Sequence, residues 1–135
     1  SGRNALRSKR SVSRTSAASP SRRTSSTIVW TLAATSGEAS PWPERGVAAA
    51  ERLQNLVPGS GHLVHMPSHI FIRVGRYADA ASANQKAIAA DEAYFALAPP
   101  PEFYSVYFLH NAHFLAYAAM MEGRYQTALD AARKI

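Results

Sequence analysis

The chain has 135 residues, about one domain's worth, and its 47% apolar content is enough for a modest core. The formal charge of +6 is confined to one end: residues 1–37 carry Arg3, Arg7, Lys9, Arg10, Arg14, Arg22 and Arg23 with no acid, whereas residues 38–135 carry eight bases and nine acids. The near-neutral remainder offers no strong phosphate-attracting field, so nucleic acid is not the expected partner except through residues 1–37; the lack of cysteine excludes disulfides and thiolate metal sites, and no apolar run reaches the ~20 residues of a membrane span.

Residues 1–37 read as a basic, Ser/Arg-rich arm of low complexity, too poor in large apolar side chains to order itself unless a neighbouring chain holds it. Its acid-free composition is shared with organelle transit peptides, but it has no apolar stretch of the secretory kind, so the compartment stays open between cytoplasm and exterior. The Ser-Gly start without a Met suggests a processed or partial chain. Within the arm, residues 28–36 (IVWTLAATS) form a short apolar run compatible with a strand or with one buried turn of helix. Ser40-Pro41-Trp42-Pro43 ends whatever precedes it, because each proline drives its predecessor toward an extended backbone.

The remainder, residues 38–135, reads as about five helices. The first runs from Pro43, with Ser40 or Trp42 at its start, to about Val57, with Val47, Ala50, Leu53, Leu56 and Val57 as its apolar stripe. A second begins near Met66 or Pro67 and runs to Val74, and Gly75 closes it. The third, Tyr77 to about Ala96, presents Ala80, Ala83, Ala87, Ile88 and Ala90 for close approach of neighbours, and its Asp91-Glu92 pair reads as a solvated helix end. Pro99-Pro100-Pro101 makes a rigid connector. An aromatic-rich fourth helix follows from Tyr104 or Tyr107 to Glu122, and a fifth, from Tyr125 to Ile135, stops in mid-pattern, as if the natural protein continues.

Gly75-Arg76-Tyr77 recurs as Gly123-Arg124-Tyr125. Aligning the two turns also sets Ala80 on Ala128, Ser68 on Ala116 and Pro67 on Leu115, so a whole unit of helix, turn and helix repeats. This unit resembles the tetratricopeptide repeat, with small residues where its two helices approach and a Gly before an aromatic at the turn. On that resemblance Ser68, Phe71, Gly75, Tyr77, Ala80, Ala87, Ala116, Gly123, Tyr125 and Ala128 are packing positions. The chain departs from the pattern in its spacing of 48 residues between turns against the usual 34, in Pro67 for Leu and in Ala119 for an aromatic. The runs GHLVHMPSHIFIRVGRYADA and HNAHFLAYAAMMEGR are similar to a group of bacterial tetratricopeptide proteins of unassigned function, in which the segment before ASPWPERGVAAAERL is a His- and Tyr-containing helix. Here that place holds RRTSSTIVWTLAATSGE, which does not match, leaving either an out-of-frame reading of residues 1 to about 37 or a genuine arm.

The resemblance implies an all-α fold of antiparallel helix-turn-helix repeats stacked as a short right-handed α-solenoid behind an irregular N-terminal arm. It implies a non-catalytic protein-interaction or self-assembly module, whose partner is a protein, first of all itself, stacked head to tail toward a filament.

The five histidines form a second signal. His65 and His69 are four apart and His110 and His113 three apart, which puts each pair on one helical face provided Pro67 leaves the first helix intact. By the turn alignment His65 and His113 are one repeat apart, so imidazoles of both clusters can meet in a groove. Two readings stay open. In one, His62, His65, His69, Tyr104, Tyr107, His110, Asn111 and His113 line a structural or ligand groove, with no cofactor. In the other, His65, His69, His110 and His113 bind zinc, copper or nickel in a metal-binding or metal-dependent enzyme fragment.

Overall fold

The computed structural model describes residues 20–100 and 102–135 of the chain, so residues 1–19 of the expected basic arm and Pro101 of the expected connector lie outside the described residues. Among the described residues there are seven α-helices: α1 (Pro20–Ala39), α2 (Val47–Leu53), α3 (Gly61–His65), α4 (Pro67–Arg73), α5 (Tyr77–Phe95), α6 (Ser105–Met121) and α7 (Tyr125–Ala132). A 3-10 turn, Pro43–Gly46, leads into α2 and another, Glu102–Tyr104, leads into α6. Among the described residues there is no strand, and the all-helical class expected from sequence is what the chain adopts.

Several boundaries differ from expectation for local reasons. The run IVWTLAATS is helical and belongs to α1, which crosses the boundary drawn at residue 37. The expected break follows: Ser40 Oγ bonds the Gly37 carbonyl and accepts the Trp42 N–H, turning the chain after Ala39. The helix expected from Pro43 to Val57 is shorter, a 3-10 turn and then α2, and Leu56 and Val57 lie beyond its end. The short helix α3 was not anticipated. Met66 between α3 and α4 keeps helical dihedrals (φ −48°, ψ −38°), and Pro67 occupies the first position of α4, where its missing N–H is harmless. Pro67 therefore leaves the path helical, and the rings of His65 and His69 meet on one side.

Packing proceeds between successive elements. Helix α1 lies on α2 and α4, α2 on α4, α3 and α4 on α5, α5 on α6, and α6 on α7. Small residues set the spacing: Ala50, Ala80, Ala81, Ala112 and Ala118 are fully buried around Ile70 and Phe71. The closest crossing joins α1 to the turn before α2, where a Cβ on Gly37 would come within 2.9 Å of the Gly46 Cα. Ala34 is buried beside it, and the Arg52 guanidinium lies 4.7 Å over the Trp30 ring, so α1 is docked along its second half.

The two Gly-Arg-Tyr turns have the same geometry. Gly75 (φ +76°) and Gly123 (φ +71°) take the left-handed conformation after α4 and α6. The Arg76 N–H reaches the Phe71 carbonyl and the Arg124 N–H the Ala119 carbonyl, while each glycine N–H bonds the carbonyl three residues back, so both ends are Schellman turns. At the first turn the Arg76 guanidinium covers the Phe71 ring and pairs with Glu51 and Asp79; at the second, Ala119 offers no ring. Of the expected packing positions, Ser68, Phe71, Ala80 and Ala87 are buried and Ala116 and Ala128 half-buried, whereas Tyr125 is exposed.

Glycine matters differently at Gly61, where a Cβ would overlap the Asp91 carboxylate at 2.0 Å. Gly75→Ala is expected to cost about 1–2 kcal/mol through its left-handed backbone alone. Gly61→Ala is expected to cost more than that, because it expels a buried carboxylate from its donors. Urea unfolding of both variants checks the order, and an equal loss would contradict it.

Candidate metal centre

The fold brings three of the histidines together. His65 on α3, His69 on α4 and His110 on α6 place one ring nitrogen each within 4.8 Å of one another. His65 Nε2 and His69 Nε2 are 2.8 Å apart. The outer nitrogens of both rings are already engaged. Asn84 Nδ2 donates to the Ala80 carbonyl (2.8 Å), which turns Asn84 Oδ1 toward His65, so His65 Nδ1 is the donor of their 2.7 Å hydrogen bond. Likewise His69 Nδ1 donates to Glu38 Oε1 at 2.7 Å, since the carboxylate can only accept.

In the neutral rings, both Nε2 atoms therefore carry lone pairs that face each other. Two lone pairs at that distance repel unless a positive centre, a proton or a metal ion, lies between them. A tetrahedral ion about 2.0–2.1 Å from each nitrogen needs them about 3.3 Å apart, so the rings would open by roughly half an ångström. The donor set fits such an ion: neutral imidazoles converge on one point while an amide and a carboxylate orient two of them from behind.

The Phe114 ring closes one side of the trio, 4.8 Å from His65 and 4.5 Å from both His69 and His110, centroid to centroid. His65 is fully buried, and burial pushes its pKa down to about 3 against the opposing bond from Asn84. Burial also lowers His110 and His62, with His69 nearby acting in the same direction.

The other expected groove residues take different places. His62 packs against Tyr107 at 4.6 Å between ring centroids, and its Nδ1 is buried with no partner among the described residues. His113 does not join the trio. It lines a groove between α6 and α7 with Ala116, Tyr117 and Tyr125. Three residues along a helix rotate a side chain about 60° short of a full turn, which leaves His110 facing α4 and His113 aimed past it. Tyr104 and Asn111 serve Asp91, donating to Oδ1 at 2.8 Å and Oδ2 at 3.0 Å.

Asp91 corrects the expectation of a solvated helix end. It is buried, and the Gly61 N–H at the start of α3 is a further donor to it. Burial raises its carboxyl above the usual range even against three donors, and burial, with the bond to Asp91, pushes Tyr104 up to about 12. Glu92, its neighbour, pairs on the surface with Lys134.

Three working residues escaped the sequence reading: Glu38, Asn84 and Asp91. Asn84 and Asp91 were findable, since they follow Ala80 and Ala87 at four-residue steps along the buried face of α5. Glu38 carries no local signal. It reaches His69 because α1 ends against α4, where Arg73 bonds the carbonyls of Glu38 and Ser40.

A buried histidine whose pKa is lower in the folded than in the unfolded chain binds its proton more readily on unfolding. Without metal, stability is expected to be fully present above the unfolded value of about 6.5 and to fall as the pH drops toward 3. The slope from His65 approaches about 1.4 kcal/mol per pH unit at its steepest. Melting curves between pH 7.5 and 5 on the parent and on His65→Gln check this, the variant showing the shallower fall; equal slopes would contradict it. Comparison with family models, with curated proteins and with solved structures yields no match to this chain.

Proposed function

We propose that this helical domain binds one divalent transition metal ion, zinc in the first place, through His65, His69 and His110. The observation that supports it is the pair of Nε2 atoms 2.8 Å apart, each the free nitrogen of a ring whose other nitrogen is held as a donor by Asn84 or Glu38. Three imidazoles suit zinc, copper and nickel and are poor ligands for calcium or magnesium, which take oxygen. Glu38 is the outer carboxylate of a carboxylate–histidine–metal arrangement, and its loss is expected to weaken metal binding about 10–100-fold.

Zinc at 100 times its dissociation constant is expected to stabilise the fold by about 2.7 kcal/mol. Calorimetric titration and melting curves on the parent, His110→Ala and Glu38→Gln test this. His110→Ala leaves the buried His65–Asn84 bond in place, so it separates loss of the ion from loss of the fold. An unchanged melting temperature in micromolar excess of zinc, with no heat of binding, would sink the reading.

A second reading, a self-assembling module of tetratricopeptide type, is favoured by two apolar faces. Ile28, Val29 and Leu32 on α1 are more than half exposed, as are Met120 and Tyr125 beside the α6–α7 groove. In this reading the groove of one copy receives α1 of the next, a contact that repeats head to tail. Sedimentation velocity is expected to show concentration-dependent association that Met120→Asp suppresses. A monomer across the whole range would remove it.

A further inference from the structure

If the trio holds an ion, the rest of the structure bears on what completes its coordination. Three nitrogens leave a tetrahedral ion one position short, and the chain has no cysteine to fill it. The nearby acids are already engaged. Glu38 Oε1 accepts from His69 Nδ1, on the far side of that ring from the ion. Asp91 is occupied by Tyr104, Asn111 and the Gly61 N–H. His113 lies in the α6–α7 groove. Solvent reaches the trio, because the His69 side chain is 17% exposed and His110 is half-buried.

Resting on the metal reading above, we infer that the ion held by His65, His69 and His110 keeps one exchangeable position, where a monodentate anion replaces water. The three imidazoles are neutral ligands and leave the double charge of the ion in place, with Glu38 the one carboxylate in contact with the trio among the described residues. A net positive centre with an accessible vacant position draws an anion. Zinc sites closed by four protein ligands are structural, whereas sites with three keep the fourth for water or substrate. Phe114 sets the direction of approach: its ring stands within 4.8 Å of all three imidazole centroids, so the incoming group is confined to the side away from that ring.

His62 is the competing ligand on the protein. Its Nδ1 is buried without a partner among the described residues, and its ring stacks at 6.2 Å on His65. Against it, His62 is packed on Tyr107, and its nitrogens fall outside the group that converges within 4.8 Å.

Cobalt(II) in place of zinc reports coordination through its visible absorption. The full chain is loaded with one equivalent of cobalt, and azide, then acetate, is titrated in. The expected result is a saturable shift of the cobalt bands by azide, reversed by acetate in competition, and a cobalt affinity lowered more than about tenfold in His110→Ala, since loss of an outer partner alone costs about that much. Cobalt bound at one equivalent with bands that azide leaves unchanged overturns the open position while leaving the metal centre standing. If the azide response then emerges only in His62→Ala, the site is closed by a fourth histidine, which also overturns it. Failure of the chain to bind cobalt overturns the metal centre and the open position with it.

Discussion

The hydrogen bond between His65 Nδ1 and Asn84 Oδ1 is the contact on which both the packing and the site depend. Both side chains are fully buried, where an unpaired polar group costs about 1–3 kcal/mol, so neither tolerates the other's absence. The bond ties α3 to α5 and at the same time sets the tautomer of His65, leaving its Nε2 as the free nitrogen. Seven residues further along α5, Asp91 does the corresponding work toward the start of α3 and toward α6, through Gly61, Tyr104 and Asn111. Helix α5 is thus a small-residue surface with two polar anchors, and the short helix α3 exists because both anchors hold it.

Close approach is the condition for that arrangement. Alanines across the α5–α6 contact and the Gly37–Gly46 crossing bring backbones near enough that short polar side chains span the gap. The same closeness seats the end of α1 on α4, where Arg73 takes up the terminal carbonyls of α1 as a cation at a helix C-terminus. Glu38, the last acidic group before the turn, is thereby delivered to His69. An oriented imidazole on α4 is a product of how α1 docks more than of anything on α4 itself.

The two Schellman turns are alike, yet their surroundings differ. The first is covered by Arg76 on Phe71 and anchored to Glu51 on α2; the second has Ala119 beneath it and an exposed Tyr125. One helix pair is sandwiched between neighbours and the other faces solvent along its groove. The histidine trio sits where the covered pair meets α6, with His65 and His69 on one side and His110 on the other, and Phe114 and Asn84 limit how the rings turn.

Residue pattern alone determined the helical class, the glycine turns and the alanine stripe of α5, because each rests on local backbone preference or on helical periodicity. It also marked the two histidine clusters as one-sided. Sequence spacing did not decide which histidines meet: His113 matched His65 by alignment, but His110 faces α4, since helix rotation and crossing angle choose between residues three apart. Nor could it name Asn111 as a partner of Asp91 or Glu38 as a partner of His69, for these partners lie 20 and 31 residues away in the chain. The helical character of residues 28–36 was equally undecided by local sequence. Burial of Ala34 and the absence of a side chain at Gly37 settle it only once α2 and α4 are there to pack against.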